Sequence, residues 1–369
     1  MALDYNLLDV RVDLKAVRAN YRLLQHRGRN CMAVVKADAY GHGLLEVARG
    51  LSLDGARMFA VGAVSEGVHL REAGLPGRIL TLLGPQDMRE AKAVAGQNLL
   101  PLIYRMDQLQ MLAEATAGRP QQIALKLDTG MRRLGFSPEE LPTLLDQLQK
   151  TKNLEPVLAM SHLATADEPD QAAFVQEQAA CFQQCRTQFE RRGLHLEYSL
   201  VNSAGLLGYP DLHFDIQRPG ISLYGINPFL NTAWEAKGAG LQPTMTASAP
   251  VLQVHALRKG ESISYGRTFT AEEDLTVAIV AMGYADGISR SLSNRSFVCL
   301  HGQRARILGR VCMQLTAVDV TALPHTVAGD TAWILGGSGA GAITANDLAQ
   351  WWGTIPYEVF CLLGLNRRG

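Results

Sequence analysis

Leu14, Val17, Tyr21 and Leu24 follow Asp13 at helical spacing, which predicts an amphipathic first helix with Asp13 as its N-cap. Short apolar runs separated by helical patterns come next: CMAVVKA (31–37), MFAVGAV (58–64), RILTLLG (78–84), NLLPLIY (98–104), QIALKLD (122–128), PVLAMSHL (156–163), YSLVNSA (198–204) and FDIQRPGISLYG (214–225). These runs are near-continuously apolar rather than alternating, as parallel strands buried on both faces require. Strand–helix alternation repeated eight times predicts a (β/α)8 TIM-like barrel. A doubly wound open sheet produces a similar string and stands as the alternative on pattern alone.

The texture changes after about Pro228. SAPVLQVHAL, LTVAIVAMG, SFVCLHG, RARILGRV, LTAVDV and TAWILGG are short and strand-like, and no long helical pattern interrupts them before ITANDLAQWW. This predicts a mostly β C-terminal domain. The expected division is a barrel over 11–230 and a β domain over 231–369, with residues 1–10 able to join the second.

Charge narrows the classes further. Lys+Arg and Asp+Glu both number 35, so the net charge is zero, and nothing pulls the whole chain toward nucleic acid or an anionic membrane. A hydrophobic share of 47% with 19% charged residues excludes intrinsic disorder. The N-terminal MALDYNLLDVRVDLKAVRAN carries charges throughout and has no apolar core of a signal peptide. The stretch 238–257 lacks Asp, Glu, Lys and Arg, yet its Gln, Pro, Thr and His residues make it too polar to span a bilayer. Six scattered cysteines, with Cys181 and Cys185 lacking any matching second pair, point to reduced thiols in a cytoplasmic protein and to no metal site.

Lys36 carries the first chemical signal. It closes the apolar run Met32–Val35, and a lysine there is costly unless paired or neutralised. At the C-terminal end of a barrel strand it would stand where such folds keep their chemistry, and burial would favour its neutral, nucleophilic amine. A side chain that merely snorkels to solvent is the plain alternative.

The string AVVKADAYGHG (33–43) resembles the pyridoxal-phosphate signature of alanine racemases. The resemblance continues in order through KLDTGMRRLGF (126–136), MSHLATAD (160–167), VNSAG (201–205), RPGISLYG (218–225), SISYGRTF (262–269), GYADG (283–287), GRVCM (309–313) and PYE (356–358). It implies an N-terminal barrel holding pyridoxal 5′-phosphate covalently on Lys36. It also implies a C-terminal β domain that completes the partner's active site in a homodimer.

The family comparison also implies the roles. Racemisation needs one proton-transfer group on each face of Cα. The resemblance assigns Lys36 to one face and Tyr265, from the partner subunit, to the other. A phenol holds its proton tightly in water, so that base role asks for positive surroundings. Arg218 is implied as the partner of the pyridine nitrogen, with His162 behind it. Tyr40, Asn202, Ser203, Gly220, Ile221 and Tyr357 are implied around the cofactor, most of them at its phosphate. Arg133 is implied beside the cofactor's phenolic oxygen and the substrate carboxylate, and Met313 through its amide. Lys126 matches a position often carbamylated in the family.

Two positions depart from the pattern. Gln314 stands where the family usually has Asp, which removes a negative charge near the substrate, and Arg132 replaces a small or polar residue and is expected to point outward. The implied activity is interconversion of L- and D-alanine, supplying D-alanine for bacterial cell wall. A broader racemase acting on serine or larger side chains is the alternative that Gln314 prompts. A non-catalytic pyridoxal-phosphate carrier is the remote one, because the related carriers lack the β domain and Tyr265.

Overall fold

The computed structural model describes residues 7–367. Two compact units emerge. One comprises Leu14–Ala39 and Leu44–Pro243. The other gathers the chain up to Asp13, Tyr40–Gly43 and the chain from Thr244 onward.

The described chain starts with strand β1 (Asp9–Val12), which belongs to the second unit. The first unit opens with the helix Leu14–Gly28, whose inner face buries Val17, Tyr21 and Leu24 as their spacing predicts. Its buried Asn20 is fully used: the side chain donates to the Leu223 and Gln242 carbonyls at 3.1 and 2.9 Å and accepts the Gln242 amide at 2.8 Å. Seven parallel strands follow: β2 (Ala33–Val34), β3 (Met58–Val61), β4 (Arg78–Thr81), β5 (Leu100–Ile103), β6 (Gln121–Lys126), β7 (Leu154–Met160) and β8 (Glu197–Ser199). Each pairs with its sequence neighbour, and helices cross between them. Their inner residues are almost all buried, in keeping with the unbroken apolar runs.

The eighth predicted run departs from expectation, since 214–225 forms no regular strand. Pro219 has no N–H to give to a ladder. The segment nevertheless ties the two edges of the curled sheet together. Met32 and Val34 donate to the Gln217 and Pro219 carbonyls at 2.8 and 3.0 Å, while the Ile216 and Arg218 amides donate to Tyr198 and Val201 at 3.1 Å. Side-by-side parallel order and this seam give the barrel plan with one irregular stave.

The second unit is a closed antiparallel barrel. It contains β9 (Met245–Leu257), β10 (Ser262–Ile263), β11 (Phe269–Thr270), β12 (Leu275–Val280), β13 (Phe297–Leu300), β14 (Gln303–Leu308), β15 (Thr316–Asp319) and β16 (Thr331–Leu335). The main sheet runs β1-β9-β12-β15-β14-β13-β16, and β16 also pairs with β9, so the ring closes between them with β1 flanking β9. The 13-residue β9 makes this closure possible. Its first half, to Pro250, pairs with β16, and its second half, from Val251, pairs with β12. Val280 faces Val251 and Ile279 faces Gln253, so Leu252 is an extra residue, a bulge that bends the strand from one side of the barrel to the other. Helices Ala345–Trp352 and Pro356–Gly364 end the chain's regular structure. Among the described residues no helix is long and apolar enough to cross a membrane, and no cluster of three metal-ligating side chains occurs.

Candidate active site

Lys36 follows β2 after Val35 and begins a turn of unusual hand. Ala37, Asp38, Ala39 and Tyr40 have φ of 53, 52, 53 and 56°, and Gly41 has 77°. This is one turn of left-handed helix, which costs L-residues about 1–2 kcal/mol each. Such a turn persists only where its surroundings hold it. The Ala39 amide reaches the Val35 carbonyl at 2.9 Å, and Asp38 Oδ1 accepts the Leu44 amide at 2.7 Å. Glu66 Oε1 takes the Asp38 amide at 3.3 Å, while Oε2 takes the amides of Gly62 and Ala63 at 2.7 and 3.1 Å. Glu66 was not predicted as a site residue. Its one sequence signal is its place three residues after a helix N-cap. Tyr40, at the end of the turn, is buried, and burial pushes its phenol pKa above the usual range.

Four predicted residues converge at the C-terminal ends of the parallel strands. Lys126 ends β6, His162 follows β7, and Arg218 lies in the closing segment, while Arg133 sits on the loop after β6. Arg218 is almost fully buried. Its terminal nitrogens donate to Ser199 Oγ, the Ser161 carbonyl, the Leu200 carbonyl at 3.2 Å and His162 Nδ1 at 3.4 Å. These bonds leave its Nε–H without an acceptor among the described residues. Burial lowers the guanidinium pKa to about 9, so it stays charged at neutral pH. The His162 imidazole is held well below its ordinary range, first by burial and then by Arg218, Lys126, Arg133 and Lys36. It is therefore neutral, and because Nδ1 accepts from Arg218, the ring proton sits on Nε2. Ser161, Ser199 and Leu200, which cage Arg218, escaped sequence reading because serine and leucine at strand ends carry no distinguishing pattern.

Lys126 Nζ donates to the Leu127 carbonyl at 2.7 Å, and burial followed by the charge of Arg218 brings it down to about 7. Asp128 opposes that shift, but its Oδ1 is shared with the Gly130 and Arg132 amides at 2.9 and 3.1 Å. The pocket is thus strongly basic. Arg133 and Arg132 are both exposed, and the latter's outward placement is as expected.

Lys126 binds its proton less tightly folded (about 7) than unfolded (10.5), so stability rises with pH across that window and the full cost is present below it. At about 1.4 kcal/mol per pKa unit, this penalty is about 4–5 kcal/mol at neutral pH. In bicarbonate-free buffer, Lys126→Met should raise the Tm of the cofactor-free protein by several degrees at pH 7, with a gain that shrinks toward pH 10. The Leu127 carbonyl keeps the Ser161 hydroxyl as a donor at 2.9 Å. Calorimetry showing no gain, or a gain that grows with pH, would contradict the buried-cation account.

Beside the basic cluster, Ser203 Oγ accepts the amides of Gly220 and Ser222 at 2.9 and 3.3 Å, which leaves its own hydroxyl hydrogen for another acceptor. Ile221 follows in the same buried turn. Asn202 spends its Oδ1 on the Gly205 amide at 2.9 Å, as the cap of the short helix Ser203–Gly208. Two hydroxyl- and amide-bearing turns therefore lie beside the Arg218 segment, whose amide donates to the Val201 carbonyl at 3.1 Å, a fit for a phosphorylated group. The unused Arg218 Nε–H suits a ring nitrogen that accepts without taking the proton.

The remaining predicted residues belong to the second unit. Tyr265 is 71% exposed and Met313 57%. Tyr265 sits between Ser264 and Gly266, at φ of 68 and 74°. A Cβ on Gly266 would stand 2.7 Å from the Arg310 guanidinium, so Arg310 packs against the tyrosine turn and was missed by sequence reading. Ser264 Oγ donates to the Arg310 carbonyl at 2.6 Å and meets Cys312 Sγ at 3.4 Å, which links the Tyr265 turn to the Met313 loop. Tyr357 is 40% exposed, with its ring 5.9 Å from that of Tyr40.

Fold and site define an α/β-barrel protein with a basic cofactor pocket at its strand ends, followed by a closed β barrel. The family models for the N-terminal and C-terminal domains of alanine racemase match residues 12–228 and 244–368. The chain belongs to the alanine racemase family. It is 53% identical to the alanine racemase of Nitratidesulfovibrio vulgaris (strain DSM 19637 / Miyazaki F), over 100% of this chain and 99% of that one. Among solved structures, alanine racemase from E. faecalis superposes with a TM-score of 0.91 at 30% identity, covering 100% and 99% of the two chains. Alanine racemase from Bartonella henselae, with covalently bound pyridoxal phosphate, gives a TM-score of 0.88 at 29% identity over 98% of each chain.

Proposed function

We infer that this chain is a pyridoxal-phosphate-dependent isomerase that interconverts L-alanine and D-alanine. The observation that carries this reading is the buried cluster of Lys126, His162 and Arg218, with its unused Arg218 Nε–H. When bound, the cofactor supplies the electron sink for the charge left at Cα. Lys36 would hold it covalently, and its amine would move the proton on one face. Tyr265 of a second copy serves the other face. Arg218, through its unused Nε–H, would donate to the pyridine nitrogen without protonating it, which would limit the sink and favour return of the proton to Cα. His162 braces Arg218. Tyr40, Ser203, Gly220, Ile221 and Tyr357 would take the phosphate, Asn202 would lie beside the cofactor, and Arg133 and the Met313 amide would take the substrate carboxylate. Lys126, with its pKa of about 7, has the neutral amine that carbamylation requires, and the resulting anion would orient Arg133.

The homodimer has its support in exposure. Tyr265, Tyr284, Met313 and Leu315 are 71, 47, 57 and 44% exposed on one unit, and their loops are joined by the bonds of Tyr284 and Ala285 to the Cys312 and Met313 carbonyls. Exposed apolar side chains grouped in this way suit an interface. Six free cysteines support a reducing, cytoplasmic setting, where D-alanine would serve cell-wall synthesis.

A second reading, a broader amino-acid racemase, rests on Gln314 beside Met313. A panel of kcat/KM values over L-amino acids separates the two. Alanine should lead, serine should follow within about a hundredfold because added hydroxyls are weakly rejected, and larger side chains should fall further. Leucine or phenylalanine turning over as fast as alanine would favour the broader enzyme.

A further inference from the structure

His42 lies six residues after Lys36 and is 0% exposed. Its Nδ1 faces the Tyr40 carbonyl at 3.0 Å and its Nε2 faces Thr244 Oγ1 at 2.8 Å. A carbonyl oxygen only accepts, so Nδ1 carries the hydrogen, and in the neutral ring Nε2 accepts from the Thr244 hydroxyl. The imidazole also stands edge-on to Phe360, with centroids 4.9 Å apart. The backbone is seated equally closely. A Cβ on Gly41 would stand 2.4 Å from the Phe360 carbonyl oxygen, and one on Gly364 would stand 2.3 Å from that of Gly41. Thr244 is itself anchored: it precedes β9, its carbonyl accepts the Asp13 amide at 2.8 Å, and Met245 pairs with Val12. A rigid strand is thus tied through one imidazole to the carbonyl of Tyr40, the last non-glycine residue of the left-handed turn.

We propose that His42 is a positioning residue for the cofactor pocket: its bond to the Tyr40 carbonyl holds the left-handed turn in the hand that sets both Lys36 at its start and the Tyr40 side chain at its end. This rests on the cofactor reading above. His42 touches no reacting atom and acts through Tyr40 and the backbone that leads back to Lys36. Without the bond, the turn loses a restraint at its C-terminal end, and four L-residues gain access to their ordinary right-handed or extended conformations.

The amides of asparagine and glutamine divide the two bonds of the ring. Asparagine places its nitrogen near Nδ1 and keeps the Tyr40 bond, whereas glutamine places its amide near Nε2 and keeps only the Thr244 bond. The readout is titration of the cofactor-free proteins with pyridoxal 5′-phosphate, alongside the Tm of each in the same state. His42→Gln should weaken cofactor binding about tenfold, the usual weight of one buried hydrogen bond, while His42→Asn stays within about threefold of wild type. A purely structural histidine would lower both Tm values and leave both dissociation constants alike, which would overturn the proposal, as would wild-type affinity in a folded His42→Gln protein. Should neither variant fold, Thr244→Val and Thr244→Ser take their place. Both keep the ring's bond to the Tyr40 carbonyl, so both should bind within about threefold of wild type, as His42→Asn does; a loss of about tenfold in Thr244→Val alone would place the control in the Thr244 bond and overturn the proposal. A wild-type chain that does not bind pyridoxal 5′-phosphate overturns the cofactor reading and this proposal together, whereas wild-type binding with an unaffected His42→Gln overturns this proposal alone.

Discussion

Lys36→Ala should leave a folded protein that neither retains pyridoxal 5′-phosphate through desalting nor interconverts the alanine enantiomers. Lys36 lies just after β2, and its Cβ packs against Gly62, where an added Cβ would stand 3.6 Å away. Its backbone lies outside the left-handed stretch that starts at Ala37, so alanine introduces no new strain. What disappears is the amine. Two functions proposed for it would go as well: covalent retention of the cofactor and proton transfer on one face. Loss of a positioned general acid–base group alone costs about 10²–10⁴-fold. Loss of the attachment point adds to that, because the free cofactor is then held by the basic cluster and hydroxyls only. The assays are cofactor absorbance after desalting and the rate of D-alanine formation from L-alanine. Undiminished turnover in both directions would remove Lys36 from the mechanism.

Tyr265→Phe should fall by about 10²–10⁴-fold in racemisation while retaining hydrogen exchange at Cα of one enantiomer. The side chain is 71% exposed and makes no described hydrogen bond, so removing its hydroxyl should barely change the stability of the protomer. Enantiomers have equal free energy, so kcat/KM must stay equal in the two directions in any variant. Asymmetry therefore cannot appear in net racemisation and must be sought in exchange. The enantiomer whose Cα proton faces Lys36 should continue to lose it to solvent, and the other should lose that ability. Equal loss of exchange from L- and D-alanine would contradict a division of the faces between two groups.

Much of this arrangement is written locally. The unbroken apolar runs specify strands buried on both faces, and seven of the eight form regular parallel strands. Lys36 announces itself as a lysine where an apolar strand ends. The rest depends on contacts that local pattern does not encode. Pro219 breaks the last stave, yet the segment still seals the sheet because its neighbours supply donors and acceptors from 30–34 and 198–201. The left-handed turn at 37–41 leaves a trace only in Gly41 and Gly43, while its alanines, aspartate and tyrosine would ordinarily favour the right-handed region. The cage around Arg218 draws on Ser161, 57 residues away, and Ser199, 19 away, neither of which carries a chemical signature. Closure of the β barrel through β9 and β16 likewise pairs residues more than 80 positions apart, a separation at which hydrophobic pattern sets a strand's faces but not its partner.

The same exchange experiment on the wild-type enzyme tests the two-base account most directly. L-alanine is incubated in deuterated water with the pyridoxal-phosphate-loaded protein, and the D-alanine formed in the first turnovers is analysed by mass. If Lys36 serves one face and Tyr265 the other, as proposed, the returning hydrogen comes from solvent. The account predicts D-alanine carrying one deuterium at Cα, formed only when the cofactor is present. D-alanine that retains the original hydrogen, or that forms equally well without the cofactor, would contradict it.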